Sequence, residues 1–186
     1  MPQQPFKLIP FNKDRQAPAG QILVAGNIRR SADVLDIEYD VTDSFYEVQW
    51  PNPVAKPMRK DELWQHTCFE LFIAPWGVNG YWEFNIAPNS DWNCYRFSDY
   101  RENQKPEFNI QAIDCVLHDS DTMHKHLSVS IPLFKELRNT TWSVGICAVI
   151  RDKNQQLHYY ALAHCGKQPD FHLRNSFMLT LTNDKQ

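Results

Sequence analysis

No run in the 186-residue chain approaches the roughly 20 consecutive apolar residues that span a bilayer as a helix. The opening stretch, MPQQPFKLIPFNKDRQAPAG, carries Pro2, Pro5 and Pro10 and nothing apolar of signal-peptide length, so a cytoplasmic chain is expected. An excess of one charge is also missing, because 19 Lys and Arg against 22 Asp and Glu leave a formal net charge of -3. That balance excludes broad attraction to nucleic acid or to an anionic membrane surface and leaves a small molecule as the expected partner. The five cysteines, Cys68, Cys94, Cys115, Cys147 and Cys165, are odd in number, contain no CxxC pair and mostly sit inside apolar, strand-like runs. Reduced core thiols fit this pattern better than disulfides or a zinc cluster. No P-loop, HExxH or nucleophile elbow occurs.

Helical periodicity is scarce too. What recurs is short runs of Val, Ile, Phe, Tyr and Trp between turn-forming clusters. Strands are expected at 22–28, 34–41, 45–50, 67–74, 81–87, 92–98, 110–118, 126–132, 142–151, 158–164 and 176–182. One helical turn is expected at PLFKELRN, 132–139, opened by Pro132. So many short strands exceed one flat sheet and predict two packed antiparallel sheets, an all-β, jelly-roll-like sandwich. No internal repeat or low-complexity tract divides the chain, and PNPVAKP at 51–57 reads as an internal loop. Residues 1–186 are therefore expected to form one domain.

Most of the six Trp, seven Tyr and eleven Phe are expected to fill the core, and a subset beside polar residues to form a stacking surface for a planar or ring-shaped ligand. The stretch LWQHTCFELFIAP, 63–75, places a carboxylate inside an apolar run. Strand alternation turns Phe69, Leu71 and Ile73 one way and Cys68, Glu70 and Phe72 the other. YWEFNIA repeats the arrangement, with Trp82, Phe84 and Ile86 against Tyr81, Glu83 and Asn85. WNCYRFS divides into Asn93, Tyr95 and Phe97 against Trp92, Cys94 and Arg96, and APNSD at 87–91 joins the two runs as a hairpin. If the polar stripes share a face, Glu70, Glu83, Asn85 and Arg96 line one sheet with Trp64 at its rim, a set suited to hydroxyl pairs and a sugar ring face. A Glu–Arg cross-strand pair accounts for the same pattern without a ligand, and Trp64 also reads as a loop anchor. In DFHLR, 170–174, Asp170 and His172 alternate after Pro169 and either share a pocket lid or form an Asx-type turn.

The segments LWQHTCFELFI and YWEFNIAPNSDWNCYRFSDYR, with YYALAHCGKQPDFHLRNSF near the end, resemble the DOMON-like superfamily, which includes the family 9 carbohydrate-binding modules. The resemblance implies a β-sandwich that binds a sugar or related polyhydroxyl compound and performs no chemistry. It implies that Trp64, Glu70 and Arg96 hold the ligand, with Phe171 or His172 as the second aromatic where the family usually has Trp. Some DOMON domains hold haem between Met and His, and Met58, His164 and His172 are the candidates for that alternative. Related sugar modules hold a structural calcium, but Asp91, Asp99 and Asp119 have no recognisable loop spacing. The His pair of HKH, 124–126, lacks a nearby Cys or carboxylate to complete a metal site. No cofactor is therefore expected. A carboxylate-based hydrolase would use Glu70 and Glu83 as its acid and base. Arg96 beside them is expected to keep both ionised, which argues against a general acid and against an enzyme.

Overall fold

The computed structural model describes residues 2–11, 22–119, 121 and 123–182. Met1 and residues 12–20 of the amino-terminal stretch read above lie outside that set. The described strands form two antiparallel sheets. One contains β1 (Gln4–Lys7), β3 (Ile22–Arg30), β4 (Val34–Asp43), β9 (Asp114–Asp119) and β10 (His124–Pro132), in the order β1-β3-β4-β10-β9. The other contains β2 (Ile9–Pro10), β5 (Cys68–Pro75), β6 (Tyr81–Ile86), β7 (Trp92–Phe97), β8 (Lys105–Pro106), β11 (Trp142–Arg151) and β12 (Leu157–Ala161), in the order β2-β12-β11-β5-β6-β7-β8. β13 (Leu179–Leu181) pairs with the opening residues of β11. The helical turn α1 (Lys135–Arg138) falls inside PLFKELRN as expected, but Pro132 ends β10 and Phe134, not Pro132, precedes the turn.

The sheets pack face to face as a β-sandwich. Val24, Ile37 and Tyr39 of one sheet meet Phe69, Leu71, Phe84 and Ile146 of the other in a shared apolar cluster. Two departures from the expected strands have local causes. The run 45–50 is no strand, because the Asp43 carboxylate accepts the backbone N–H groups of Glu47 and Val48 and turns the chain, with Tyr46 at φ 57°. The Pro-rich residues 4–10 form β1 and β2 after all, and both are edge strands, where a missing N–H costs no ladder bond. Among the described residues no helix is long and apolar enough to cross a membrane.

β5 and β6 are buried at every position, on both faces. The face turned away from the sandwich core is roofed by the 3-10 turn Leu63–Gln65 and by the chain that follows β12. Phe171 and Phe177 of that chain join Phe72, Tyr81, Tyr95, Phe97, Cys147 and Val149 in a second apolar cluster. Gly145 on β11 makes the close approach possible, since a Cβ there would lie 2.8 Å from a Phe177 ring carbon. This second layer turns an exposed sheet face into the walls of a cleft.

Candidate functional site

The register of the central strands decides which side chains share the cleft. Glu70 of β5 stands between Asn85 of β6 and Cys147 of β11. Glu83 stands between Phe72 of β5 and Tyr95 of β7, so the two glutamates are diagonal neighbours on one face. They are only 3% and 5% exposed. Asn85, two residues beyond Glu83 and fully buried, donates through Nδ2 to Glu83 Oε1 at 2.8 Å and accepts from the Cys68 thiol. No hydrogen bond to the Glu70 carboxyl forms among the described residues.

The roof is tied to the sheet by a chain of hydrogen bonds. The backbone N–H of Arg101 donates to the Tyr81 hydroxyl at 3.1 Å, and that hydroxyl is hydrogen-bonded to His172 Nδ1 at 2.8 Å. The second ring nitrogen of His172 faces Glu83 Oε2 across 3.8 Å. Asp170 holds this arrangement from the outside, accepting from Arg101 Nη2 at 3.0 Å, from the Tyr100 hydroxyl and from the His172 N–H at 3.1 Å. The last bond is the Asx-type turn expected in DFHLR. Arg101 occupies the left-handed region at φ 54°, an uncommon conformation for a non-glycine residue.

The resulting cleft holds about 600 Å³ and is bordered by Trp64, Glu70, Glu83, Phe97, Arg101, Val149, Arg151, Leu157, Tyr159, Phe171 and His172, with glutamines 65, 104 and 155 at its margin. Of the residues expected from the sequence, Trp64, Glu70, Glu83, Phe171 and His172 come together here. Asn85 lies behind Glu83 as its support, and Asp170 sits outside as the anchor of Arg101.

Arg96 does not belong to this group. The hairpin pairs Glu83 with Tyr95 and Trp82 with Arg96, so Arg96 continues the face of Trp92 and Cys94, on the sandwich-core side. At the end of that face the side chain escapes to solvent, with its guanidinium 5.3 Å from the Trp82 ring. It borders a different depression, with Trp76, Lys105 and Glu136.

The electrostatics change with that correction. Burial, reinforced by the charge of Glu83, pushes the Glu70 carboxyl well above its ordinary value, and Arg101 opposes the shift. Burial raises Glu83 to about 7 against the hydrogen bond from Asn85 and the charge of Arg101. Burial, with Arg101 nearby, lowers His172 to about 4, so the ring is neutral near pH 7. The floor of the cleft is thus a protonatable acid pair, not the ionised pair expected beside Arg96.

Arg101, Arg151 and Tyr159 are among the cleft residues that the sequence reading missed. Val149 and Tyr159 pair across β11 and β12, so the same alternation that located Glu70 carries a signal for Tyr159. Arg101 lies in a turn without periodicity and offers no such signal. The structure places Met58 outside the cleft that His172 borders, with its N–H on the Asp91 carboxylate and its carbonyl accepting from Trp92. His164 engages the Ile9 carbonyl. Asp91 pairs with Lys60 at 2.6 Å, and the side chain of Asp119 lies outside the described set. In HKH, His124 pairs with Asp121 and His126 with Asp40.

No protein-family model and no curated protein matches the chain. Among solved structures it is similar to a Bacteroides uniformis protein proposed to bind carbohydrate, with a TM-score of 0.69 and 16% identity over 98% of this chain and 86% of the other. At that identity the likeness establishes the sandwich fold. A family 9 carbohydrate-binding module from Caldicellulosiruptor kristjanssonii also aligns, in its cellotriose complex at a TM-score of 0.49 and 13% identity over 79% of this chain and 68% of the module. Its glucose complex aligns at 0.49 and 14%, over 79% and 69%.

Proposed function

We propose that the chain is a single-domain, non-catalytic binding protein for a small polyhydroxyl ligand of the sugar type, seated in the cleft over Glu70. The observation that carries this reading is the combination, in one concavity of about 600 Å³, of aromatic walls from Trp64, Tyr159 and Phe171 with a floor of Glu70 and Glu83. Ring faces cover the C–H surface of a saturated ring, and the carboxyls accept from hydroxyls. Arg101, instead of Arg96, is the guanidinium that borders the ligand. The volume suits a small-molecule site. Support also comes from the fold shared with the Bacteroides protein and from the DOMON-like and family 9 resemblance of the Trp64 to Arg101 segment. The unpaired state of all five thiols supports a reducing compartment such as the cytoplasm.

Calorimetric titration of the full chain with glucose, cellobiose and maltose tests the reading. Binding that disappears in Trp64→Ala supports it, and no heat from any of the three at millimolar concentration rejects it.

One observation favours a second reading. Two buried carboxyls with raised pKa values meet the need of a carboxylate-based hydrolase for a protonated acid near neutrality. The binding reading expects no release of nitrophenol from aryl glycosides, and release that depends on Glu83 would establish the hydrolase.

A further inference from the structure

Glu70 is 3% exposed, borders the cleft and has no hydrogen-bond donor among the described residues. Glu83 is served only by neutral groups, Asn85 at 2.8 Å and the His172 ring at 3.8 Å. The cations that border the cleft are occupied elsewhere: Arg101 with Asp170 at 3.0 Å, and Arg151 with His66 Nδ1 at 2.6 Å. The floor therefore carries two carboxyl groups without a bonded counter-charge, an arrangement that strongly disfavours their ionised forms. The rings of Trp64, Tyr159 and Phe171 border the same cleft, and aromatic rings attract cations over their faces.

A ligand that completes such a site brings both N–H donors and positive charge. A metal ion does not fit, because among the described residues no three His, Cys, Asp or Glu side chains are placed to hold one. An anionic ligand adds negative charge beside two carboxyls that already lack a bonded counter-charge, and a neutral ring satisfies their hydrogen bonding without supplying a positive one.

We propose that the ligand is an aminated polyhydroxyl ring, of the hexosamine class, whose ammonium group sits on Glu70 beneath the aromatic walls. This inference rests on the polyhydroxyl-binding reading above and specifies its ligand. Burial disfavours the ionised form of both acids in the empty cleft, and a bound ammonium favours it.

Calorimetry on the full chain with D-glucosamine, N-acetyl-D-glucosamine, D-glucose and D-glucuronate tests the inference, since the four share a ring and differ in charge. Glucosamine is expected to bind at least about tenfold tighter than glucose or the N-acetyl form, with glucuronate weakest. Glu70→Gln is expected to lower glucosamine affinity about tenfold or more while changing glucose affinity less than about threefold. Glu83→Gln, which keeps the oxygen that Asn85 binds, serves as the second variant if Glu70→Gln does not fold, and is expected to show the same selective loss. Equal affinity for glucosamine and glucose, or a variant that loses both equally, overturns the inference and leaves sugar binding intact. No binding of any of the four sugars overturns the inference, and the binding reading falls with it only if cellobiose and maltose also give no heat.

Discussion

Glu83 and His172 face each other across 3.8 Å in surroundings that push the carboxyl up and the imidazole down. Burial penalises charge on either group, so it raises the acid to about 7 and lowers the base to about 4. An ion pair there would place a second proton on the imidazole, which its fall to about 4 disfavours near neutral pH.

That assignment has a consequence for stability. A carboxyl whose folded pKa is raised favours the native state below its ordinary value of 4.5, and the benefit is lost as pH climbs through about 7. His172 acts oppositely between about 4 and 6.5, which masks the effect in the parent protein. Glu83→Gln removes one contribution and keeps the other. Chemical denaturation should show the variant gaining on the parent by up to roughly 3 kcal/mol between pH 4.5 and 7.5. A difference that does not vary with pH contradicts the assignment.

Proton release should accompany binding of an ammonium ligand. Glu70 faces Glu83 from β6, Cys68 from its own strand, Cys147 from β11 and Arg101 from the turn, with His172 above. A cation among these groups favours the ionised acid pair, so glucosamine affinity is expected to rise with pH toward about 7. Titrations in buffers of different ionisation enthalpy measure the proton count. A heat independent of the buffer counts against this coupling.

The two arginines separate cleanly by experiment. Arg96→Ala is expected to leave ligand affinity within about twofold of the parent, because its side chain lies across the sheet. Arg101→Ala frees Asp170 and unpins the roof, and should weaken binding about tenfold or more. The reverse ranking would restore the site read from the sequence.

Gly145 tests the roof from below. In Gly145→Ala the new methyl would lie 2.8 Å and 3.2 Å from ring carbons of Phe177, which is itself packed against Phe72 and Tyr81. A loss of about 1 to 3 kcal/mol in urea unfolding is expected from this overpacking. An unchanged midpoint would mean that the roof yields without cost.

The sandwich, the β6–β7 hairpin and the shared face of Glu70 and Glu83 were legible because strict alternation along β5 and β6 leaves no second solution. Arg96 was misplaced by a different logic. The polar stripe of β7 was identified by its charge, whereas Tyr95 and Asn93 form it, and a phenol reads as apolar in a pattern. The acid pKa values followed that error, since they depend on which face the guanidinium takes. Arg101 and the roof were illegible for another reason: both are irregular backbone fixed by tertiary bonds to Asp170 and Tyr81, which no local period announces. The turn at 45–50 shows the same limit, as one carboxylate, Asp43, outweighs the strand propensity of FYEVQW.

The central claim, that the cleft over Glu70 is the ligand site, is tested most directly by mapping amide and indole NMR shifts during titration with D-glucosamine and D-glucose. The account predicts changes at the Trp64 indole and at the amides of Glu70, Glu83, Arg101, Phe171 and His172. Shifts confined to Trp76, Trp82 and Arg96 would put the site in the depression on the far side of the sheet and contradict it.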